Sequence, residues 1–183
     1  MSADYVDGYY ARTADEGRRW PALEGDVECE VCVVGGGLAG LNTALGLAQR
    51  GRSVVVLEKH RVAWGASGRN GGFVSAGYAL GAEALAARVG SERARELHGL
   101  TVDAMALMRR RIDDLGIDCG PLQEGIVTAA WRGSPTHSRA HVDFMNETMS
   151  GRYVYWPEAE LQQHYRSDRY TCLLYTSPSP RDS

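Results

Sequence analysis

The chain has 183 residues, 20 basic and 23 acidic side chains for a net charge of −3, 44% hydrophobic residues and 23% charged ones. This composition excludes global disorder, and the absence of a basic excess argues against nucleic acid as a partner. Glycine is abundant, at 22 residues, but follows no Gly-X-Y period, so a collagen-like chain is excluded as well.

The first residues, MSADYVDGYY, lack the basic and apolar regions of a secretion signal, and a cytoplasmic protein is expected. Residues 1–28 read as an arm whose aromatics (Tyr5, Tyr9, Tyr10 and Trp20) are expected to pack on a neighbouring surface. Residues 30–34 (EVCVV) predict a buried strand. Residues 35–40 form a glycine loop, 38–50 a helix closed by Gly51, and 53–57 (SVVVL) a second buried strand ending at Glu58. The apolar stretch from Val31 to Ala48 is no membrane span, because three consecutive glycines break it in the middle. Strand, helix and strand within some thirty residues make a βαβ unit, and runs apolar on both faces suit a parallel sheet.

A second glycine-rich loop follows at residues 65–72 (GASGRNGG). Beyond Ala82 the pattern turns helical. Ser91 is the expected cap, Leu97, Thr101, Met105, Met108, Ile112 and Leu115 form the apolar stripe, and Gly116 marks the stop. Residues 125–131 predict a strand, 135–149 a helix capped by Ser134, 153–156 a short strand, and 157–165 the start of another helix. Cys29 and Cys32 form a C-x-x-C pair, but residues three apart on a strand point to opposite faces, and no second ligand pair follows. His137 and His141 have helical spacing without a ligand partner beside them and are expected on a solvated helix face. No metal site is expected.

The loop Gly35-x-Gly37-x-x-Gly40 has the spacing G-x-G-x-x-G between a predicted strand and a predicted helix. Gly35 permits a sharp exit from the strand, Gly37 lets a diphosphate approach the backbone, and Gly40 lets the helix lie close to the sheet. Leu38 and Ala39 open that helix, whose unpaired N–H groups and partial positive charge suit phosphate. Glu58 follows Gly35 by 23 residues and can accept hydrogen bonds from both ribose hydroxyls, while repelling the 2′-phosphate of NADP. The βαβ unit serves FAD and NAD alike. Gly40, Ala44 and Ala48 continue a stripe of small residues like that of FAD-binding chains, and the second loop can set backbone N–H groups and Arg69 against an anion.

VVGGGLAGLNTALGLAQRG, SVVVLE and GASGRNGG together resemble the FAD-dependent oxidoreductases of the D-amino-acid oxidase-like family. Within that family the Tyr9-Tyr10 arm, GIDCG at 116–120 and SDRY at 167–170 look like members acting on γ-glutamylated amines. The resemblance implies an α/β fold: a Rossmann-type FAD-binding domain, here partial, with the start of an antiparallel-sheet substrate domain. It implies an arm at 1–28, the FAD-binding βαβ unit and glycine loop at 29–81, a helical segment at 82–120 and the start of the substrate domain at 121–170. FAD is the implied cofactor. Gly35, Gly37, Gly40 and Glu58 would hold its ADP half, and Lys59 and Arg61 would lie near the adenosine. Ser67, Arg69, Asn70, Gly71 and Gly72 would line the diphosphate, ribityl and flavin-proximal region. The implied chemistry is hydride removal from the amine-bearing carbon of a small-molecule amine, hydrolysis of the imine, and return of the electrons to oxygen or another acceptor. No catalytic acid, base or amine-binding residue is assigned. The alternatives are an NAD-dependent dehydrogenase fragment and an inactive nucleotide-binding fragment.

The last segment departs from the rest. The final Gly is Gly151 and the final Ala is Ala159, while Pro178 and Pro180 are two of only six prolines. Residues 172–182 (CLLYTSPSPRD) are similar to the conceptual translation of a transposase-type sequencing-library adapter, and the family resemblance stops after Tyr170. Residues 171–183 are therefore expected to be a non-native, adapter-derived tail outside the fold. Amplification from source DNA across this point should give a reading frame that continues past Tyr170 into a substrate domain. Genomic DNA encoding CLLYTSPSPRDS and a stop codon would refute it.

Overall fold

The computed structural model describes residues 5–14, 19–122, 125–131, 139–166 and 168–176. The chain divides into two compact units, Met1–Phe73 and Val74–Ser183, so the N-terminal arm belongs to the first unit.

The first unit holds a one-turn helix α1 (Tyr9–Thr13), then β1 (Val31–Val34), α2 (Leu38–Ala48) and β2 (Val54–Leu57). β1 and β2 pair in parallel, from Val31 opposite Val54 to Val34 opposite Leu57, which requires the crossover that α2 supplies. Glu30 fixes the entry to this pair. Its carboxylate accepts from Ser53 N at 2.7 Å and from Arg52 Nη1 at 3.0 Å. The Ser53 amide and then the Arg52 guanidinium hold that carboxyl below the usual range. α2 stops two residues short of its expected end. Arg50 Nη1 donates back to Gly46 O at 2.7 Å, and Gly51 turns the chain at φ +75°.

Both strands were expected to be buried on both faces, and the structure differs. β1 alternates, with Val31 and Val33 half-buried but Cys32 and Val34 exposed, Val34 at 84%. The reason is geometric: α2 lies against the Val33 side, and a single helix covers one face of a sheet. The aromatic arm also departs from expectation. Tyr9 and Trp20 are exposed at 75% and 66%, and only Tyr5 is half-buried. A two-pronged Asp7–Arg12 ion pair, 2.6 Å at each prong, braces α1 in solvent.

The second unit contains α3 (Ala82–Val89), α4 (Ser91–Asp114), β3 (Val127–Trp131), α5 (Arg139–Glu147), β4 (Tyr153–Pro157), α6 (Glu158–His164) and β5 (Tyr170–Thr176). Ala94, Met145 and Met149 form a buried cluster, with Leu85, Ala86, Phe144 and Tyr153 packed around it. The cap of α4 is Gly90 (φ +85°), and Ser91 is its first helical residue rather than its cap. The predicted stripe turns inward as far as Ile112, but Leu115 is exposed, and the buried anchors Ala94 and His98 lie outside the apolar reading. Burial holds His98 below the usual histidine range. The α4 stop is as expected. Gly116 adopts φ +58°, its N–H donates to Asp113 O, and Ile117 N–H donates to Ile112 O, which together close the helix with a Schellman motif.

The sheet of this unit has the order β3-β5-β4, antiparallel throughout, with a register shift at Ala130/Trp131. The central strand is Tyr170–Thr176, so the expectation that the chain leaves the fold at Thr171 does not hold for residues 171–176. Cys172, Leu173 and Leu174 are buried at its centre, and Thr176 Oγ1 accepts from Ile126 N at 2.9 Å. The run Tyr-Thr-Cys-Leu-Leu-Tyr-Thr is made of residues that suit a strand between two partners. Residues 177–183, Ser134, Pro135 and His137 lie outside the described residues.

His141 does not sit on a solvated face. Its Nδ1 meets the Glu83 carboxylate between α5 and α3, and its ring lies edge-on to Tyr153. Burial pushes the Glu83 carboxyl up, but the His141 hydrogen bond, a backbone hydrogen bond and the His141 charge together outweigh it, and the net displacement is downward. Cys29 is half-buried, Cys32 and Cys119 are exposed and Cys172 is buried, all as free thiols.

Leu161 on α6 is the largest fully buried side chain among the described residues, 1% exposed beside the sheet. Leu161→Ala should cost about 2–4 kcal/mol through lost burial and the cavity left behind. Urea unfolding of the complete protein measures this, and a loss below about 1 kcal/mol would mean that α6 does not seal this core.

Candidate functional site: a glycine-lined nucleotide cradle

The site begins where β1 ends. Gly35 extends the ladder, its N–H donating to Leu57 O at 2.8 Å, then turns sharply at φ +104°, a conformation that side chains resist. The next residue is the pivot. Gly36 is buried, and its N–H donates to Glu58 Oε2 at 2.6 Å. A Cβ on Gly36 would stand 3.3 Å from the Glu58 side chain, so glycine is what lets the carboxylate reach the amide.

Glu58 stands just past β2. Its second oxygen, Oε1, accepts from His60 N at 2.9 Å. The His60 amide and then the Gly36 amide favour the ionised form and hold this carboxyl below the usual range, against a smaller upward push from burial. Glu58 is therefore a carboxylate at neutral pH. Two oxygens offer about four acceptor positions, and two backbone donors leave the others for hydroxyl groups.

Gly37 caps α2, and the expected open approach at this glycine is partly filled by the chain itself. A Cβ there would lie 3.0 Å from Ser67 Oγ, and that same hydroxyl accepts from Leu38 N at 2.9 Å. Leu41 N–H is the first to find an intrahelical acceptor, Gly37 O at 2.9 Å. The N–H groups of Gly37, Ala39 and Gly40 have no hydrogen-bond acceptor among the described residues. Gly40 is the tightest position: its Cβ would fall 1.9 Å from Gly35 O and 3.3 Å from Val33 Cγ1. No side chain fits there, and this closeness brings the N-terminus of α2 up to the strand exit.

The second loop folds back onto the first. Ala63 N–H donates to Gly36 O at 2.9 Å, with Ala63 held at φ +60°. A 3-10 turn, Ala66–Gly68, then presents Ser67 to α2. A Cβ on Gly68 would lie 2.3 Å from Ala63 O, so this glycine too is required by close approach.

The structure brings Gly35, Gly37, Leu38, Ala39, Gly40, Glu58 and Ser67 together. It does not gather the rest of the predicted set around them. Arg69 is exposed, donates to Gly65 O at 3.2 Å and lies over the Trp64 ring at 4.9 Å. Asn70 closes its own loop, giving Nδ2–H to Ser67 O and taking Gly72 N–H on Oδ1. Gly71 lies against Phe73, and Gly72 turns at φ +72°. Lys59 is exposed. Arg61 lies over the Tyr5 ring, 4.3 Å from its centroid.

Three site residues escaped the sequence reading. Gly36 carries the Glu58 contact, and its only signal is being the middle glycine of three. His60 supplies a backbone amide, which no side-chain pattern announces. Trp64 stacks on the His60 ring at 4.2 Å and meets Arg69, and its indole is the organising side chain of the second loop.

An ionised acceptor with spare positions, unpaired amides at a helix N-terminus and glycines that no side chain could replace fit the ribose and diphosphate of a dinucleotide. Comparison with known proteins agrees. The family model for FAD-dependent oxidoreductases (DAO) matches residues 30–178, so the family likeness does not stop after Tyr170 as the sequence alone suggests. The chain is 31% identical to the probable oxidoreductase OrdL of Haemophilus influenzae over 182 residues, 96% of this chain and 41% of that protein. It is 37% identical to the gamma-glutamylputrescine oxidoreductase of Escherichia coli over 126 residues, 69% of this chain and 30% of that protein. Glycine oxidase from Bacillus cereus shares the fold with a TM-score of 0.55 at 22% identity, over 82% of this chain and 39% of that one. The chain thus spans about two fifths or less of the relatives it matches. It belongs to the DAO family of FAD-dependent oxidoreductases, and its cofactor is FAD rather than a nicotinamide.

Proposed function

We propose that the complete protein is a flavin-dependent amine or amino-acid oxidoreductase, and that its substrate is γ-glutamylputrescine or a closely related γ-glutamylated amine. The observation that carries the substrate class is the 37% identity with a relative named for that amine. The short strings GIDCG and SDRY and the aromatic arm point the same way. Bound FAD supplies the acceptor for the hydride that leaves the amine-bearing carbon. The resulting imine hydrolyses to a carbonyl product, and oxygen or another acceptor takes up the electrons.

In this reading the chain's own residues bind and orient. Glu58 holds the ribose hydroxyls, and the amides of Gly37, Ala39 and Gly40 face the diphosphate. Ser67, Arg69, Asn70, Gly71 and Gly72 border the ribityl and flavin side, with Lys59 and Arg61 toward the adenosine. A cytoplasmic location is part of the same proposal. Among the described residues no helix is long and apolar enough to cross a membrane.

Glu58→Ala should weaken FAD binding at least about tenfold, since it removes a charged acceptor of hydrogen bonds. Titration of the apoprotein measures this, and unchanged affinity would remove Glu58 from the site. The pH dependence has a fixed sign. The folded Glu58 carboxyl is displaced below its ordinary value of 4.5, so its contribution is complete above that value. It is lost as pH falls through the lower folded value, and Glu58→Ala should lack this step.

Anaerobic mixing of the flavinated complete protein with γ-glutamylated amines, N-methyl amino acids and D-amino acids tests the reaction. The γ-glutamylated amines should bleach the flavin fastest. Bleaching by 2-hydroxy acids alone would overturn the amine assignment, and bleaching by D-amino acids alone would overturn the γ-glutamyl specificity.

A further inference from the structure

We propose that the N-terminal arm is the clasp of the FAD-binding loop, with Tyr5 as the positioning residue that fixes the peptide joining Val62 to Ala63. The proposal rests on the assignment of FAD to the glycine cradle.

Tyr5 is the half-buried anchor of an otherwise mostly exposed arm. Its hydroxyl donates to Val62 O at 2.8 Å, across 57 residues of sequence. The Arg61 guanidinium lies over the same ring, 4.3 Å from its centroid. One side chain therefore holds the backbone of Val62 and the side chain of its neighbour. At the far end of the loop, a Cβ on Gly72 would lie 3.5 Å from Tyr10 Oη. Between these two points the Asp7–Arg12 ion pair braces the arm. The arm thus holds the chain at Val62, just before the second loop, and passes near the loop's end at Gly72.

The Val62 carbonyl and the Ala63 N–H belong to one planar peptide unit. Its oxygen accepts from Tyr5, and its N–H donates to Gly36 O at 2.9 Å. Gly36 in turn gives its own N–H to Glu58. Hydrogen bonds thus link the Tyr5 hydroxyl to this peptide and this peptide to Gly36 O, while the two peptides that meet at Gly36 Cα carry the link to the carboxylate proposed to face the ribose. Ala63 sits at φ +60°, a conformation its side chain disfavours, so the peptide needs something to hold it. Tyr5 clamps its carbonyl end and Gly36 its N–H end. Without the Tyr5 hydroxyl and ring the peptide can rotate toward a relaxed backbone, releasing Gly36 O and loosening the seat of Glu58.

The test compares Tyr5→Phe, Tyr5→Leu and Leu23→Ala in the complete protein, with Leu23 as the exposed control on the same arm. FAD affinity is read by titrating the apoprotein, and hydrogen exchange of the Ala63 amide is read without FAD. Tyr5→Leu should raise the FAD dissociation constant about five- to tenfold and speed Ala63 exchange. Tyr5→Phe keeps the ring over Arg61 but loses the hydroxyl, so it should speed Ala63 exchange with a smaller change in affinity. Leu23→Ala should leave both at wild-type values. A lower melting temperature for Tyr5→Leu with unchanged FAD affinity and Ala63 exchange would mean mere structural support and overturn the proposal. Glu58→Ala in the same titration separates the two readings. If it weakens FAD while Tyr5→Leu does not, the clasp fails alone. If neither variant weakens FAD, the cradle assignment fails and takes the clasp with it.

Discussion

The first unit depends on one carboxylate held by two backbone amides. Glu58 takes the Gly36 N–H on one oxygen and the His60 N–H on the other, so it joins the exit of β1 to the exit of β2. Charge-assisted bonds of this kind are stronger than neutral ones. They also keep the carboxyl ionised. Beside them, the strand pairing that ends at Val34 and Leu57, the ladder bond from Gly35 and the Ala63 N–H bond to Gly36 O join the two exits through neutral groups. The glycine at position 36 follows from this: a side chain there would meet the Glu58 carbons at the edge of contact. In the proposed site the same anion would face the ribose, so one group would serve as structural tie and nucleotide contact.

The central strand of the second unit shows how little strand formation asks of a sequence. β5 pairs with β3 on one side and β4 on the other and buries Cys172, Leu173 and Leu174. A position between two partners selects for apolar, β-branched and aromatic residues, and it reads no other property of the string. The unusual composition of the chain after Ala159 therefore bears on where these residues come from. It does not bear on whether they can pair. Origin and pairing are separate questions, and residues 171–176, foreign to the rest of the chain in composition, still form the centre of the sheet.

Local signals carried well. The βαβ unit, the glycine turn, the α4 stripe down to Ile112 and the stop at Gly116 each depend on residues within a few positions of one another. Signals that depend on distant partners did not carry. The run VCVV looks buried on both faces, yet Val34 is 84% exposed, because an apolar pattern records the layers a strand is built for and not those present beside it. His141 looked solvated until Glu83, 58 residues away, was placed against it. Ala94 is too small and His98 too polar to stand out as anchors of α4, yet both are buried. Trp64 and Tyr5 organise the second loop through contacts that no spacing encodes.

The proposed cradle offers its ligand mainly backbone groups, and a site of that kind is legible in a sequence where a pocket of side chains is not. Amides at a helix N-terminus bind phosphate whatever side chains surround them, provided that nothing blocks the approach. That requirement is written as glycine: Gly35 for its φ of +104°, Gly40 because a Cβ would strike Gly35 O. Glycines at fixed spacing are visible in a sequence, as is the single acid at the end of the next strand. An amine, by contrast, is selected by side chains converging from separate segments, each ordinary in its local context. Such a pocket leaves no spacing to detect. GIDCG, SDRY and the paired tyrosines resemble whole strings of a relative and carry no chemical rule of their own. The backbone half of recognition therefore follows from physics applied to the sequence, while the side-chain half is written in contacts between segments far apart in the chain.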